Sequence, residues 1–155
     1  MQTINTLFIS LCAFLFVIAP AFAAENISPV GYWKTIDDVS GQTKSIVQVT
    51  ELPNKLLIGK VTKLFNPSKT ICSDCQGERK DKPILGMIVM EDLKKDTTPG
   101  LWSNGNIIDP KNGKQYHCNI QVMSHGEKLK VRGYVGVPLF GRSQTWLRAT
   151  DKDLA

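Results

Sequence analysis

The sequence predicts an all-β protein: a single antiparallel meander of roughly eight short strands closing into a small barrel. Three observations lead there. The chain has 155 residues, of which 42% are hydrophobic and 21% charged, with 8 Pro and 12 Gly. That length and composition suit one globular domain and exclude collagen, a long coiled coil and general disorder. Beyond residue 23 no apolar stripe recurs at i, i+3 and i+4, the spacing an amphipathic helix needs. Instead, short runs alternate apolar and polar residues and are broken by turn formers at close intervals. Closing such a meander removes edges that would otherwise pair with other chains.

The clearest run is Tyr116-His117-Cys118-Asn119-Ile120-Gln121-Val122. Period-2 geometry puts Tyr116, Cys118, Ile120 and Val122 on one face and His117, Asn119 and Gln121 on the other. Asn112-Gly113 before it is a hairpin turn, since both residues tolerate positive φ, and it links this strand to 106–108. His125-Gly126 marks the next turn. Leu129, Val131, Gly133 and Val135 then alternate with Lys128, Lys130, Arg132 and Tyr134. Further strands are expected at 31–35, 45–51, 56–64, 87–93 and 143–148. The breaks fall at 38–41, at Pro53-Asn54 and at 97–100. Residues 66–83 form the one long irregular stretch, and loops of that length are commonly functional.

The first residues read as a targeting segment. Residues 7–19, LFISLCAFLFVIA, carry no charge and are too short to span a bilayer, but they suit a signal-peptide core. Ala21-Phe22-Ala23 follows, the small-x-small pattern a signal peptidase accepts, so cleavage is expected after Ala23. Residues 1–6 hold no Lys or Arg, which leaves an uncleaved anchor as the alternative. The domain is then residues 24–155, located in the periplasm or secreted, where disulfides can form.

Charge narrows the partners. The formal net charge of +5 is mild. Lys128, Lys130 and Arg132 make a short basic stripe with Tyr134 as its lone aromatic, which reads as a solvated strand face. Nucleic acid is therefore not an expected partner, and membrane contact is expected to be peripheral at most. Hydrolytic chemistry has little support: there are 2 His and no G-x-S-x-G. Asp37-Asp38 before Val39-Ser40-Gly41 is a turn former rather than a carboxylate pair. No glycine loop for phosphate is present.

Gly31-Tyr32-Trp33 opens the first strand, and Arg142 and Arg148 flank the last. This resembles the lipocalin and fatty-acid-binding arrangement. The resemblance implies that the tryptophan closes one barrel end beneath an arginine of the final strand, a cation–π contact. The chain also resembles a bacterial envelope family known as domain-of-unknown-function family 2147. The matching residues are Gly31-x-Trp33-x-Thr35-x-Asp37, Gly59-Lys60, Cys72-x-x-Cys75-x-Gly77 and Lys80-Asp81-x-Pro83-x-x-Gly86-Met87. They continue with Asp109-Pro110-x-x-Gly113-x-x-Tyr116-x-Cys118, Arg132-Gly133-Tyr134-x-Gly136 and Gly141-Arg142-x-Gln144-x-Trp146. The resemblance implies a small exported β protein of lipocalin-like shape and no particular activity.

Cys72, Cys75 and Cys118 follow the leader, an odd number that leaves one thiol unpaired in a monomer. A Cys72–Cys75 disulfide closes four residues and contributes about 2 kcal/mol of loop entropy; Cys75–Cys118 contributes about 4. Entropy alone favours the long link, provided a loop cysteine can fold over a barrel mouth to reach an inward strand residue. A Cys₃His metal site is an alternative, although His117 points away from Cys118. Thiol exchange is another, with Arg79, Lys80 and Lys82 favouring thiolate and Asp74, Glu78 and Asp81 opposing it. The expected function is non-enzymatic, needs no cofactor or resident metal, and belongs to a monomer. A small apolar or amphipathic ligand would sit in the barrel mouth under a lid of residues 66–83. The competing expectation is a solid barrel whose loop, with Lys80, Asp81, Lys82 and Pro83, docks to another envelope protein.

Overall fold

The computed structural model describes residues 27–65 and 67–155. The expected leader and its cleavage site after Ala23 lie outside the described residues, as does Asn66. Eight strands form a closed antiparallel barrel in sequential order. They are β1 (Gly31–Ile36), β2 (Thr43–Glu51), β3 (Leu57–Leu64), β4 (Ile88–Lys95), β5 (Leu101–Asp109), β6 (Lys114–Met123), β7 (Lys128–Tyr134) and β8 (Arg142–Arg148). The barrel closes where β8 pairs with β1, Trp33 opposite Arg148 and Lys34 opposite Leu147.

Alternation sets the inner face. In β6, Cys118 and Ile120 are fully buried while His117 is exposed. The same phase carries Leu129 and Val131 inward from β7 and Trp146 from β8. These side chains join Trp33, Val47, Val49, Leu57 and Met90 in one core.

Two elements depart from expectation. β5 runs through 101–109 rather than 106–108. Asn104-Gly105 forms a bulge inside it, with Asn104 at φ 60° and a register shift between Trp102 and Gly105. A short helix, α1 (Asp151–Leu154), follows β8. Thr150 starts it: its backbone N–H and hydroxyl both donate to Asp153 Oδ2 at 2.8 Å. Lys34 Nζ donates to Asp153 Oδ1 at 3.1 Å, and Lys63 Nζ donates to the Asp153 carbonyl at 3.0 Å. Ile46 pairs with both Lys34 and Lys63, so it shares their outer face, yet it is fully buried. The two lysines that flank this outward isoleucine thus both reach α1.

Chain order places the connections. Segments 37–42, 67–87, 110–113 and 135–141 share one end of the barrel, the loop end. Segments 52–56, 96–100 and 124–127 lie at the other, beside residues 27–30.

Candidate functional site

The end opposite the loops is sealed. Trp33 is fully buried, and its Nε1 donates to the Pro29 carbonyl at 2.7 Å. Arg148 Cζ stands 4.2 Å from the centre of that indole. Its guanidinium donates to three carbonyls: Gly126, Val30 at 3.2 Å and Ser28 at 3.0 Å. Desolvation here lowers the Arg148 pKa, with Glu127 acting in the opposite sense. Gly31 makes room for this cation. Its φ is +132°, and a Cβ there would lie 2.8 Å from Arg148 Nη1. The G-x-W glycine is thus explained by the arginine it faces. Arg142 does not share the role. It sits at the loop end, where it donates to Asp38 Oδ2. The two arginines lie at opposite ends of one short strand, so only one can reach the early tryptophan.

The interior is filled. Trp33, Leu57, Met90, Leu93, Ile120 and Leu129 are fully buried, and Trp102 and Trp146 pack with them. The Trp146 indole donates to Gln144 Oε1 at 3.4 Å, which places its polar atom toward the loop end. An open groove of about 810 Å³ lies outside the barrel, beside the β3–β4 segment. Pro83, Leu85, Gly86, Met87 and Ile88 give it an apolar floor, and Arg79, Lys82 and Glu91 a charged border.

The β3–β4 segment is built rather than loose. Ile71 and Pro83 bridge antiparallel, and the Cys72 N–H donates to the Lys82 carbonyl at 2.9 Å. The Ile84 N–H donates to Thr70 at 2.8 Å, and the Gly86 N–H to Val61 of β3 at 2.8 Å. Arg79 Nη2 donates to Glu91 Oε2 of β4 at 2.7 Å. Lys80 donates to the Ser73 carbonyl, and Lys69 to Asp74. Asp81 holds a left-handed conformation, φ 59°, and its N–H donates to the Cys72 carbonyl at 3.0 Å. The segment thus lies along the β3–β4–β5 flank, with Lys82 and Pro83 on the groove and Lys80 turned back onto its own loop.

The cysteines correct the entropy argument. Cys72 and Cys75 form the disulfide and Cys118 is free. All three are fully buried, but Cys118 lies on the inner face of β6, with its Sγ 3.9 Å from Met90 Sδ. The disulfide instead rests on the β5–β6 turn. Gly113 of that turn has φ +68°, and a Cβ there would lie 1.9 Å from the Asp74 carbonyl oxygen. The longer link gains more entropy but has no route through the packed core. Burial pushes the Cys118 thiol from 9.0 up to about 12, so it stays protonated and unreactive.

The other sequence candidates fall at the loop end. Asp37 Oδ1 accepts from the Ser40 N–H at 2.8 Å and the Val39 N–H at 3.3 Å, as a turn former does. These bonds to Ser40 lower its pKa. The basic stripe is only partly a solvated face. Arg132 donates to Pro138 O at 2.7 Å, Leu139 O at 3.1 Å and Ser143 Oγ at 2.9 Å. Tyr134 is buried, against the expectation that it faces water. Its ring centre stands 5.6 Å from that of His117 with the planes tilted by 40°, and Gly141 of the returning loop lies over its Cβ.

A closed eight-stranded barrel, sealed by an early tryptophan under a last-strand arginine, defines a lipocalin-like protein. More particularly, the chain belongs to the bacterial family described as "Uncharacterized protein conserved in bacteria (DUF2147)", which matches residues 31–148. Among solved structures it is similar to protein HP1028 from the human pathogen Helicobacter pylori, described as belonging to the lipocalin family. The two share 20% identity and a TM-score of 0.68, over 81% of this chain and 85% of that one. That likeness establishes the fold. No curated protein matches the chain.

Proposed function

We propose that this chain is an exported, non-enzymatic binding module. Its rigid barrel presents the groove beside the β3–β4 segment to a protein partner in the envelope. One observation carries the reading: indole and aliphatic side chains fill the interior, while an open groove lies outside, between Pro83, Leu85 and Ile88. The groove suits an extended segment, with an apolar floor for side chains and Arg79, Lys82 and Glu91 for polar contacts. The chemistry of the cysteines supports a structural part for them. Both disulfide sulfurs are buried, so an attacking thiolate has no path to them, and the third thiol is held protonated.

The experiment has two arms. Fatty acids and mild detergents are added to the folded protein, and Tm is recorded. A solid barrel gives no rise, because only a ligand of the native state adds RT ln(1 + [L]/Kd). Separately, a photo-crosslinking residue replaces Leu85 in living cells. A single discrete protein adduct, lost when Ile88 is changed to Asp, is the expected result. A large lipid-dependent rise in Tm, with no adduct at 85, would overturn the docking reading in favour of a small-molecule carrier.

A further inference from the structure

The β7–β8 connection carries a second surface that the groove does not use. Val135 is 71% exposed, Val137 53%, Leu139 79% and Phe140 80%. Four large apolar side chains in six residues thus stand in water at a single tip. Val39, 96% exposed, crowns the neighbouring β1–β2 turn. The two tips are tied together by Asp38, which accepts from Arg142 and, at 2.9 Å, from Gln144 Nε2.

Part of the backbone beneath this tip is bonded. The Phe140 N–H donates to Val137 O at 3.2 Å and the Gly141 N–H to Pro138 O at 3.1 Å. Arg132 takes up the carbonyls of Pro138 and Leu139. These four bonds lower the cost of moving the Pro138–Phe140 turn out of water. The charge below the tip is positive. Arg132 is bonded to neutral oxygens, and Lys130 shares its strand face. The nearby acids are engaged: Asp38 with Arg142, and Asp37 with its own turn and, at 3.9 Å, with Lys44.

We propose that the Val135–Phe140 tip is a membrane-contact surface that inserts its apolar side chains among anionic lipids, with Arg132 and Lys130 at headgroup level. An apolar wedge over a cationic collar is complementary to an anionic bilayer interface. The barrel then stands on its loop end, and the flank groove stays open to a protein partner.

The test is co-sedimentation of the folded protein with vesicles of equal parts phosphatidylethanolamine and phosphatidylglycerol. Vesicles of phosphatidylcholine are the control. Binding to the anionic vesicles alone, weakening as salt rises, is expected. The double variant Leu139→Ser, Phe140→Ser should lose affinity by about tenfold or more. Its far-ultraviolet dichroism and Tm should match the parent, because both side chains are solvent-exposed. Leu85→Ser, on the groove, should bind as the parent does. Absence of sedimentation, equal binding to both vesicle types, or full binding by the double variant would each overturn the proposal. So would a concentration-dependent dimer abolished by the double variant, which would assign the tip to a second copy of the chain.

Discussion

Arg148 is the sharpest place to test the account of the barrel. Replacing it by Ala removes three charge-assisted hydrogen bonds and the cation over Trp33. Bonds to a charged group are worth about 1.5–3 kcal/mol when well buried. Here the guanidinium is partly exposed, so the freed carbonyls regain some water and about 1 kcal/mol each is appropriate. The cation–π contact adds about 0.5–1 kcal/mol. The loss totals about 3–4 kcal/mol, or a fall of roughly 10–15 °C in Tm for a domain of this size. Arg142→Ala, which breaks an exposed pair with Asp38, should cost less than about 1 kcal/mol. Arg148→Lys should recover little, since an ammonium cannot fork to three carbonyls or stack its plane on an indole. Urea unfolding of the three variants, read as midpoint and slope, is the assay. Equal losses for Arg148→Ala and Arg142→Ala, or full rescue by lysine, would refute the reasoning.

Other outcomes follow from the same geometry. Gly113→Ala should destabilise far more than Gly136→Ala. Both have positive φ, but only the first places its Cβ against backbone, 1.9 Å from Asp74 O, while the second meets nothing within 4 Å; thermal melts of the pair isolate the clash. Cys118 should resist thiol reagents in the native protein and react on unfolding, as mass spectrometry would show. Its folded pKa lies above its ordinary one, so the unfolded chain releases the proton first. Parent stability should therefore fall between pH 9.0 and about 12 relative to Cys118→Ala. Asp153 behaves oppositely. Its pKa is lowered from 3.8 to about 2, first by the Thr150 N–H and then by Lys34. Its contribution should thus be lost as pH falls from 3.8 toward 2, and hydrogen exchange at Ile46 should rise in Asp153→Asn.

Alternation and turn residues make most of the barrel legible, because period-2 burial is a local property of each strand. Legibility fails where a later segment decides. Residues 104–105 carry turn chemistry, but pairing of β5 with β4 and β6 on both sides absorbs them as a bulge. The cysteine pairing fails for the same kind of reason. Loop entropy is a property of the unfolded chain and depends only on separation. The pairing is settled by the native position of Cys118 inside the barrel and of Cys72–Cys75 on the β5–β6 turn. The two arginines near the end of the chain are indistinguishable in composition, and only strand direction separates them.

Ile46 and Tyr134 take this argument one step further, toward function. Alternation assigns each to the outer face, yet both are buried, one between the lysines that hold α1 and the other beneath the β7–β8 return. Alternation reports which way a side chain points and says nothing of what arrives later to cover it. In a barrel with a filled interior, the outer surface is where chains of one fold can differ without disturbing the core. The covered outer residues here show that the chain itself spends segments on its exterior. The uncovered ones, Leu85 and Ile88 on the flank and Val137 to Phe140 at the tip, are apolar positions that no segment of the described chain covers. Single exposed apolar residues are ordinary, but four at one tip make a patch of the kind that marks an interaction surface.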